Sequence, residues 1–277
     1  GFLWLVIGAV LAGAVQDFVI LVASMRRNGR SLPEIAHDEL GSITGTATAV
    51  AVLGGALLVG HSVRGSLADL VNNRLGKTDW MVASPRFFRE ALAADLAARP
   101  AFHDAFASQA PLIVADAVVM EQASGRRAGG VKVYGVDERF WRFHGVASAS
   151  LGDREALLSP ALARELNVST GAAVLVRVQR PSDIPLDSLH ARKDEVGRTL
   201  RLITREIRPA SGLGEFSLDA QQGDVYAVFV PLARLQTELE VGHRVNTILL
   251  ESSPGHRTTG LAERARDMVR EAAAPDD

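Results

Sequence analysis

SITGTATAVAVLGGALLVG (Ser42–Gly60) is a run of nineteen residues without a charge. Wound as an α-helix at ~1.5 Å per residue, it is as long as a bilayer's hydrocarbon core is thick. The run divides the sequence. Before it lie a second apolar run and a polar connector. After it, residues 61–277 have an ordinary globular mixture rich in Arg, Asp and Glu. That downstream part is long enough to bury a core of its own.

Composition narrows the function classes. The formal net charge of −2 gives no electrostatic case for a nucleic-acid partner or an acidic substrate. Cysteine is absent, which removes disulfides and thiolate metal sites. The seven histidines (37, 61, 103, 144, 190, 243 and 256) show no paired-ligand spacing, so no metal site is expected.

Gly1–Met25 is the other apolar run, with Gln16, Asp17 and Ser24 its clearly polar residues. It lacks a basic lead and is too long for the core of a cleaved signal, so it reads as a transmembrane helix. A carboxylate inside such a helix marks an ion or substrate path, or it lies near the headgroups or pairs with a neighbouring helix; Asp17 is therefore a candidate transport-path residue. Residues 26–41 form a polar connector in which Ser31 and Glu34 have capping-box spacing and Gly41 is a stop. Arg26, Arg27 and Arg30 on one side of the charge-free run nearly balance Arg64, Arg74 and Lys77 on the other, so charge does not set the orientation.

From Val59 the helix is expected to run on. Val63, Leu67, Leu70, Val71 and Leu75 form an amphipathic stripe for packing on the downstream domain, with Arg64, Asp69, Asn72 and Arg74 on the other faces. Ser84-Pro85 reads as a cap and first turn for a helix over 85–98, closed by Pro100. Strands are expected at 112–119, 130–136, 172–179, 199–207, 225–230 and 246–250. Helices are expected from Ser159-Pro160 to near Asn167, after Pro231 and over 259–273, and residues 181–195 read as a long loop. The alternation makes the domain α+β or α/β.

The motifs with chemical overtones fail their own requirements. Gly76-Lys77-Thr78 resembles the end of a phosphate loop, but Val71 stands where that loop needs glycine, and a helix rather than a strand precedes it. Gly60-His-Ser62-Val-Arg64 has Arg where a nucleophile elbow needs Gly, and His61 and Ser62 read as solvated or capping residues at a helix exit. Asp137 and Glu138 read as turn residues beside Arg139; Phe140, Trp141 and Phe143 read as core. Gly212 and Gly214 lack the third glycine of a dinucleotide fingerprint and read as a flexible loop. No catalytic or cofactor-binding set remains, and no enzyme activity is expected.

Two resemblances complete the reading. AGAVQDF (12–18) with SMRRNGRSLPEIAHDELG (24–41) resembles the carbon starvation protein CstA family, many-spanning inner-membrane carriers of peptides or pyruvate; the likeness covers about the first fifty residues. SVRGSLADLVNNRLGKTDW (62–80), VKVYGVDERFW (131–141), EALLSPALARELNVSTGAAVLVRVQRPSDIP (155–185), GLGEFSLDAQQGDVYAVFVPLARLQ (212–236) and VNTILL (245–250) are similar to the extracytoplasmic domain of MacB/FtsX-type ABC transporter permeases. The two patterns meet within 46–54, which points to a chimera.

The expected architecture is a membrane-anchored α+β protein: transmembrane helices at 1–25 and 42–60, a connector at 26–41, and a mixed α/β extracytoplasmic domain at 61–277. The permease resemblance implies three later spans. The sequence ends before them, so a truncated permease is expected. It also implies a bacterial inner-membrane location, a separate ATP-binding subunit, a lipid bilayer and a possible homodimer as partners, and no cofactor. The stripe from Val59 to Leu75 would be its coupling helix. The alternatives are a CstA-like secondary carrier using Asp17 and a membrane-anchored binding module without transport.

Overall fold

Residues 15–148, 150–178, 197–219, 221–253 and 261–273 are described by the computed structural model. The chain divides into two compact units, Gly1–Asp69 and Leu70–Asp277.

In the first unit, α1 (Val15–Arg26) leads through a turn at Asn28 and Gly29, both at positive φ, into α2 (Leu32–Leu40). The Ser31 N–H donates to the Glu34 carboxylate at 2.9 Å, the expected capping-box contact, and that bond holds the Glu34 carboxyl below the usual range. Gly41 ends α2 at φ 90°, and α3 (Ser42–Leu75) starts at the next residue. Arg27 pairs with Glu39 and Arg30 with Asp38, tying the connector together.

Helix α3 is 34 residues long and contains the whole charge-free run. Among the described residues it is the one helix long and apolar enough to cross a membrane, by length and composition. Ile43, Leu57 and Leu58 are among its exposed side chains. Thr44, Thr46 and Thr48 donate their hydroxyls to carbonyls four residues back, at 3.2, 2.8 and 2.8 Å, so these polar atoms need no outside partner. The expected span at Gly1–Met25 lies mostly outside the described residues; its described part is α1.

The second unit is built on eight strands. In chain order it comprises β1 (Trp80–Arg89), α4 (Leu92–Ala97), α5 (Pro100–Ala105), β2 (Phe106–Glu121), β3 (Arg127–Val136), α6 (Glu138–His144), β4 (Glu155–Leu158), α7 (Pro160–Leu166), β5 (Ala173–Val178), β6 (Arg198–Ile207), β7 (Ala227–Pro231), α8 (Leu232–Glu238), β8 (Arg244–Ser252) and α9 (Leu261–Ala272). The sheet order is β1-β8-β2-β3-β7-β4-β6-β5, and β5 pairs back on β2. The strands from β2 to β5 therefore close into a ring. The long strand β2 serves both parts: residues 106–112 pair with β8, and residues 113–121 with β3 and β5. Ring closure leaves no free edge on that side. Val119, Val133, Val174, Val176, Leu200 and Leu202 fill the interior, joined by Leu162 and Leu166 of α7.

Most expected elements stand where the hydrophobic periods put them. Ser159 caps α7 and Asn167 closes it in the left-handed conformation. The helix expected over 85–98 is a correction: β1 runs through Ser84-Pro85. Pro85 lies where the β1–β8 register shifts between Ala83 and Phe88, and at such a bulge in an edge strand the missing N–H does no harm. Helix α4 begins only at Leu92, and Pro100 opens α5 instead of merely ending a run. His61 and Ser62 lie within α3 and not at its exit. The loop expected at 181–195 lies outside the described residues. Strands β1 and β4 had no sequence expectation of their own.

Candidate functional site at the end of the long helix

Of the expected coupling stripe, Val59, Val63 and Leu67 are exposed, while Leu70, Val71 and Leu75 are partly buried. Asp17 lies in α1, and its side chain is outside the described residues. Within the second unit the structure gathers side chains around the last turn of α3, where that unit begins.

Arg74 is the centre of this junction. The sequence pattern put it on the polar face, yet only 8% of it is exposed. Its guanidinium donates to the Gln221 carbonyl at 2.5 Å and the Gly223 carbonyl at 2.9 Å, and its own carbonyl accepts from the Ser217 N–H at 3.2 Å. Glu215 supplies a carboxylate at 4.0 Å. A buried cation that satisfies backbone carbonyls on a separate loop is a lock: removal would leave those acceptors dry.

The turn after the helix is equally fixed. Gly76, at φ +59°, accepts the helix end in the left-handed conformation and lies against the His144 ring. The Lys77 N–H donates to His144 Nδ1 at 3.2 Å, and the Lys77 ammonium lies 3.5 Å from Glu251. The Asp79 N–H donates to the Leu250 carbonyl and its carboxylate accepts from the Ser252 N–H, which starts β1 along β8.

His144 ends α6, whose first residue follows the Asp137 cap. Its ring lies 4.6 Å from Phe140 and 5.3 Å from Phe216, centroid to centroid. Burial, with a smaller push from the Lys77 ammonium, lowers its pKa to about 4. Phe140, Trp141 and Phe143 are core, as their spacing implies. Asp137 accepts from the Arg139 N–H and pairs with its side chain, which also reaches Glu90. Arg208 stacks over Trp141 at 5.0 Å and donates to the Gly212 carbonyl at 3.0 Å. The Gly212–Gly214 segment is therefore not the flexible loop expected: a Cβ at Gly214 would lie 1.9 Å from the Arg208 carbonyl oxygen, so only glycine closes this corner. One signal of the junction was present in the sequence: a glycine directly after the periodic run.

The fold and junction define a class: a mixed α/β domain introduced by a helix long and apolar enough to cross a membrane. Comparison with known proteins finds similarity over parts of the chain. Residues 1–114 match the family model "Carbon starvation protein CstA". The peptide transporter CstA of Bacillus subtilis is 58% identical over 53 residues, 19% of this chain and 9% of that protein. The pyruvate/proton symporter BtsT of Escherichia coli is 44% identical over 82 residues, 30% and 11% of the two chains. The chain thus spans about a tenth of the length of the curated relatives it matches. The family match runs past the 46–54 join read from the sequence. Among solved structures, the periplasmic region of MacB from Actinobacillus actinomycetemcomitans aligns with TM-score 0.37 and 11% identity, covering 74% of this chain and 90% of that one. The extracellular domain of the ABC-type transporter YknZ from Gram-positive bacteria aligns with TM-score 0.38 and 10% identity, covering 70% and 89%.

Proposed function

We propose that this chain is the membrane-proximal part of an ABC-type permease subunit of the MacB/FtsX kind. In this reading residues 1–25 and 42–60 lie in a bacterial inner membrane, and the domain from 61 onward is extracytoplasmic. The subunit does no chemistry. A separate ATP-binding subunit hydrolyses nucleotide, and the change is passed along α3 to the domain, in a homodimer of such subunits.

The observation that carries the reading is the continuity of α3 into its lock. One uninterrupted helix holds both the charge-free run and Arg74, which is bonded to Ser217, Gln221 and Gly223. At ~1.5 Å per residue the helix is about 51 Å long, well beyond a ~30 Å hydrocarbon core. The ordered series of permease-like segments from 62 to 250 supports the same reading.

Inserting Gly-Gly after His61 in a complete transporter carrying this segment should leave ATP turnover intact and abolish export. Retained export would refute the mechanical role.

A second reading, a CstA-like secondary carrier, is favoured by the match of residues 1–114 to that family. It makes Asp17 part of a transport path for peptides or pyruvate. Uptake of either substrate that is lost in Asp17→Asn would select it. Contiguous sequencing of the source DNA across codons 40–60 tests the joining of two families: a single permease gene without the CstA-like head removes the chimera.

A further inference from the structure

The outer wall of the strand ring carries a face that the junction does not use. Along β5 and β6 the interior residues alternate with outward ones, so that Leu175, Arg177, Arg201 and Ile203 lie on the outside. In register, Arg127 of β3 stands opposite Met120 of β2, Met120 opposite Leu175, and Leu175 opposite Arg201. This row crosses four strands, about 14 Å at ~4.8 Å per strand. Beside it, Val118 of β2 stands opposite Arg177. Val118 and Ile203 are 39% and 48% exposed. Arg127, Arg177 and Arg201 are exposed and make no hydrogen bond or ion pair among the described residues. The neighbouring acids are engaged: Asp116 by Lys132 at 2.8 Å and Glu155 by Arg205 at 3.5 Å.

We propose that this face docks an acidic, amphipathic segment of a partner protein, its carboxylates on the three arginines and its apolar residues on Met120, Leu175 and Val118. Charge selects the occupant, because unpaired guanidinium groups around an apolar centre are complementary to carboxylates. Arrangement selects a protein over a lipid surface. The arginines flank Met120 and Leu175 within a row about 14 Å long, which matches one short segment with carboxylates on either side of an apolar centre, and arginine and methionine are both enriched in protein interfaces.

The test uses the full chain in phosphatidylcholine nanodiscs, titrated with a short fluorescent peptide alternating Glu and Leu. The matching Lys-Leu peptide is the control. The Glu-Leu peptide binds, the Lys-Leu peptide does not, and the triple variant R127Q/R177Q/R201Q weakens binding at least about tenfold with an unchanged melting temperature. Absence of peptide binding by the wild type, or equal binding by the triple variant, overturns the proposal. So does arginine-dependent flotation with phosphatidylglycerol vesicles in place of peptide binding, which would assign the face to lipid. Binding that appears only after residues 179–196 are replaced by a short Gly-Ser turn would give the face to the chain's own segment, and also overturns it.

Discussion

A methyl group placed on Gly76 would lie 2.6 Å from the Nδ1 atom of His144. The same methyl would meet Leu213 Cδ2 at 3.2 Å, and the backbone there has φ +59°, which side chains other than hydrogen resist. Space and conformation both demand glycine at the exit of the long helix. Gly76→Ala should therefore destabilise the second unit by at least about 2 kcal/mol. Urea unfolding of the full chain, followed by tryptophan fluorescence, reads this as a lowered midpoint with an unchanged slope; a wild-type midpoint would contradict the packing.

His144 makes stability depend on pH in a defined direction. Its imidazole titrates at about 4 when folded against 6.5 in the open chain, because burial disfavours the cation. Between those values the unfolded chain binds the extra proton. The contribution is fully present above about pH 6.5 and is lost as pH falls toward 4, with a limit on the order of 3 kcal/mol. The difference in urea midpoint between pH about 7 and about 4.5 should shrink in His144→Gln, which cannot take up that proton. An identical pH dependence in the two proteins would rule His144 out as the source.

Arg74→Met keeps most of the stem and removes the donors that hold the Gln221 and Gly223 carbonyls. Two charge-assisted bonds in a buried place are at stake, so a loss on the order of 3 kcal/mol is expected. Amide exchange then separates a local lock from a general weakening. The Ser217 N–H, which donates to the Arg74 carbonyl, should exchange faster in the variant, while the amides of β5 and β6 stay protected at comparable unfolding free energy. Unchanged protection at Ser217 would show that the lock does not depend on the guanidinium.

How much of this was legible depended on whether local pattern or distant contact decides a residue's place. Helix α7 could be read end to end, because Ser159, Pro160 and Asn167 are all local signals. Strands β3 and β5 of the ring could be read from their alternating valines, while the four-residue β4 could not. Its closure could not: the pairing of β5 with β2 joins residues far apart in sequence. Ser84-Pro85 was misread because cap chemistry and bulge chemistry look alike until the partner strand is known. Arg74 was misassigned for the opposite reason. Its polarity suits an outer face, and only the carbonyls of a loop some 150 residues away make burial tolerable. Gly212 and Gly214 suggested freedom, whereas the carbonyl of Arg208 fills the space beside Gly214.

The helical corner in the first unit offers an independent measurement. A Cβ on Gly45 would stand 2.5 Å from the His37 Cβ and 2.7 Å from its Cα, so the start of α3 touches the backbone of α2 with no room for a side chain. Backbone contact of this kind is what glycine permits where helices cross closely. Gly45→Val must push the two apart, and a β-branched residue cannot relieve the clash by rotating, since its substituents lie on the Cβ itself. The expected result is faster hydrogen exchange at Gly41 and Gly45, whose N–H groups bond to the His37 and Gly41 carbonyls, with the exchange of β2 and β3 unchanged. Gly54→Val is the control: Gly54 lies further along the same helix and the space around it is open, so a valine there meets nothing. Equal effects from the two substitutions would mean that valine acts through helix propensity, and the close approach of α2 and α3 would then have no energetic weight.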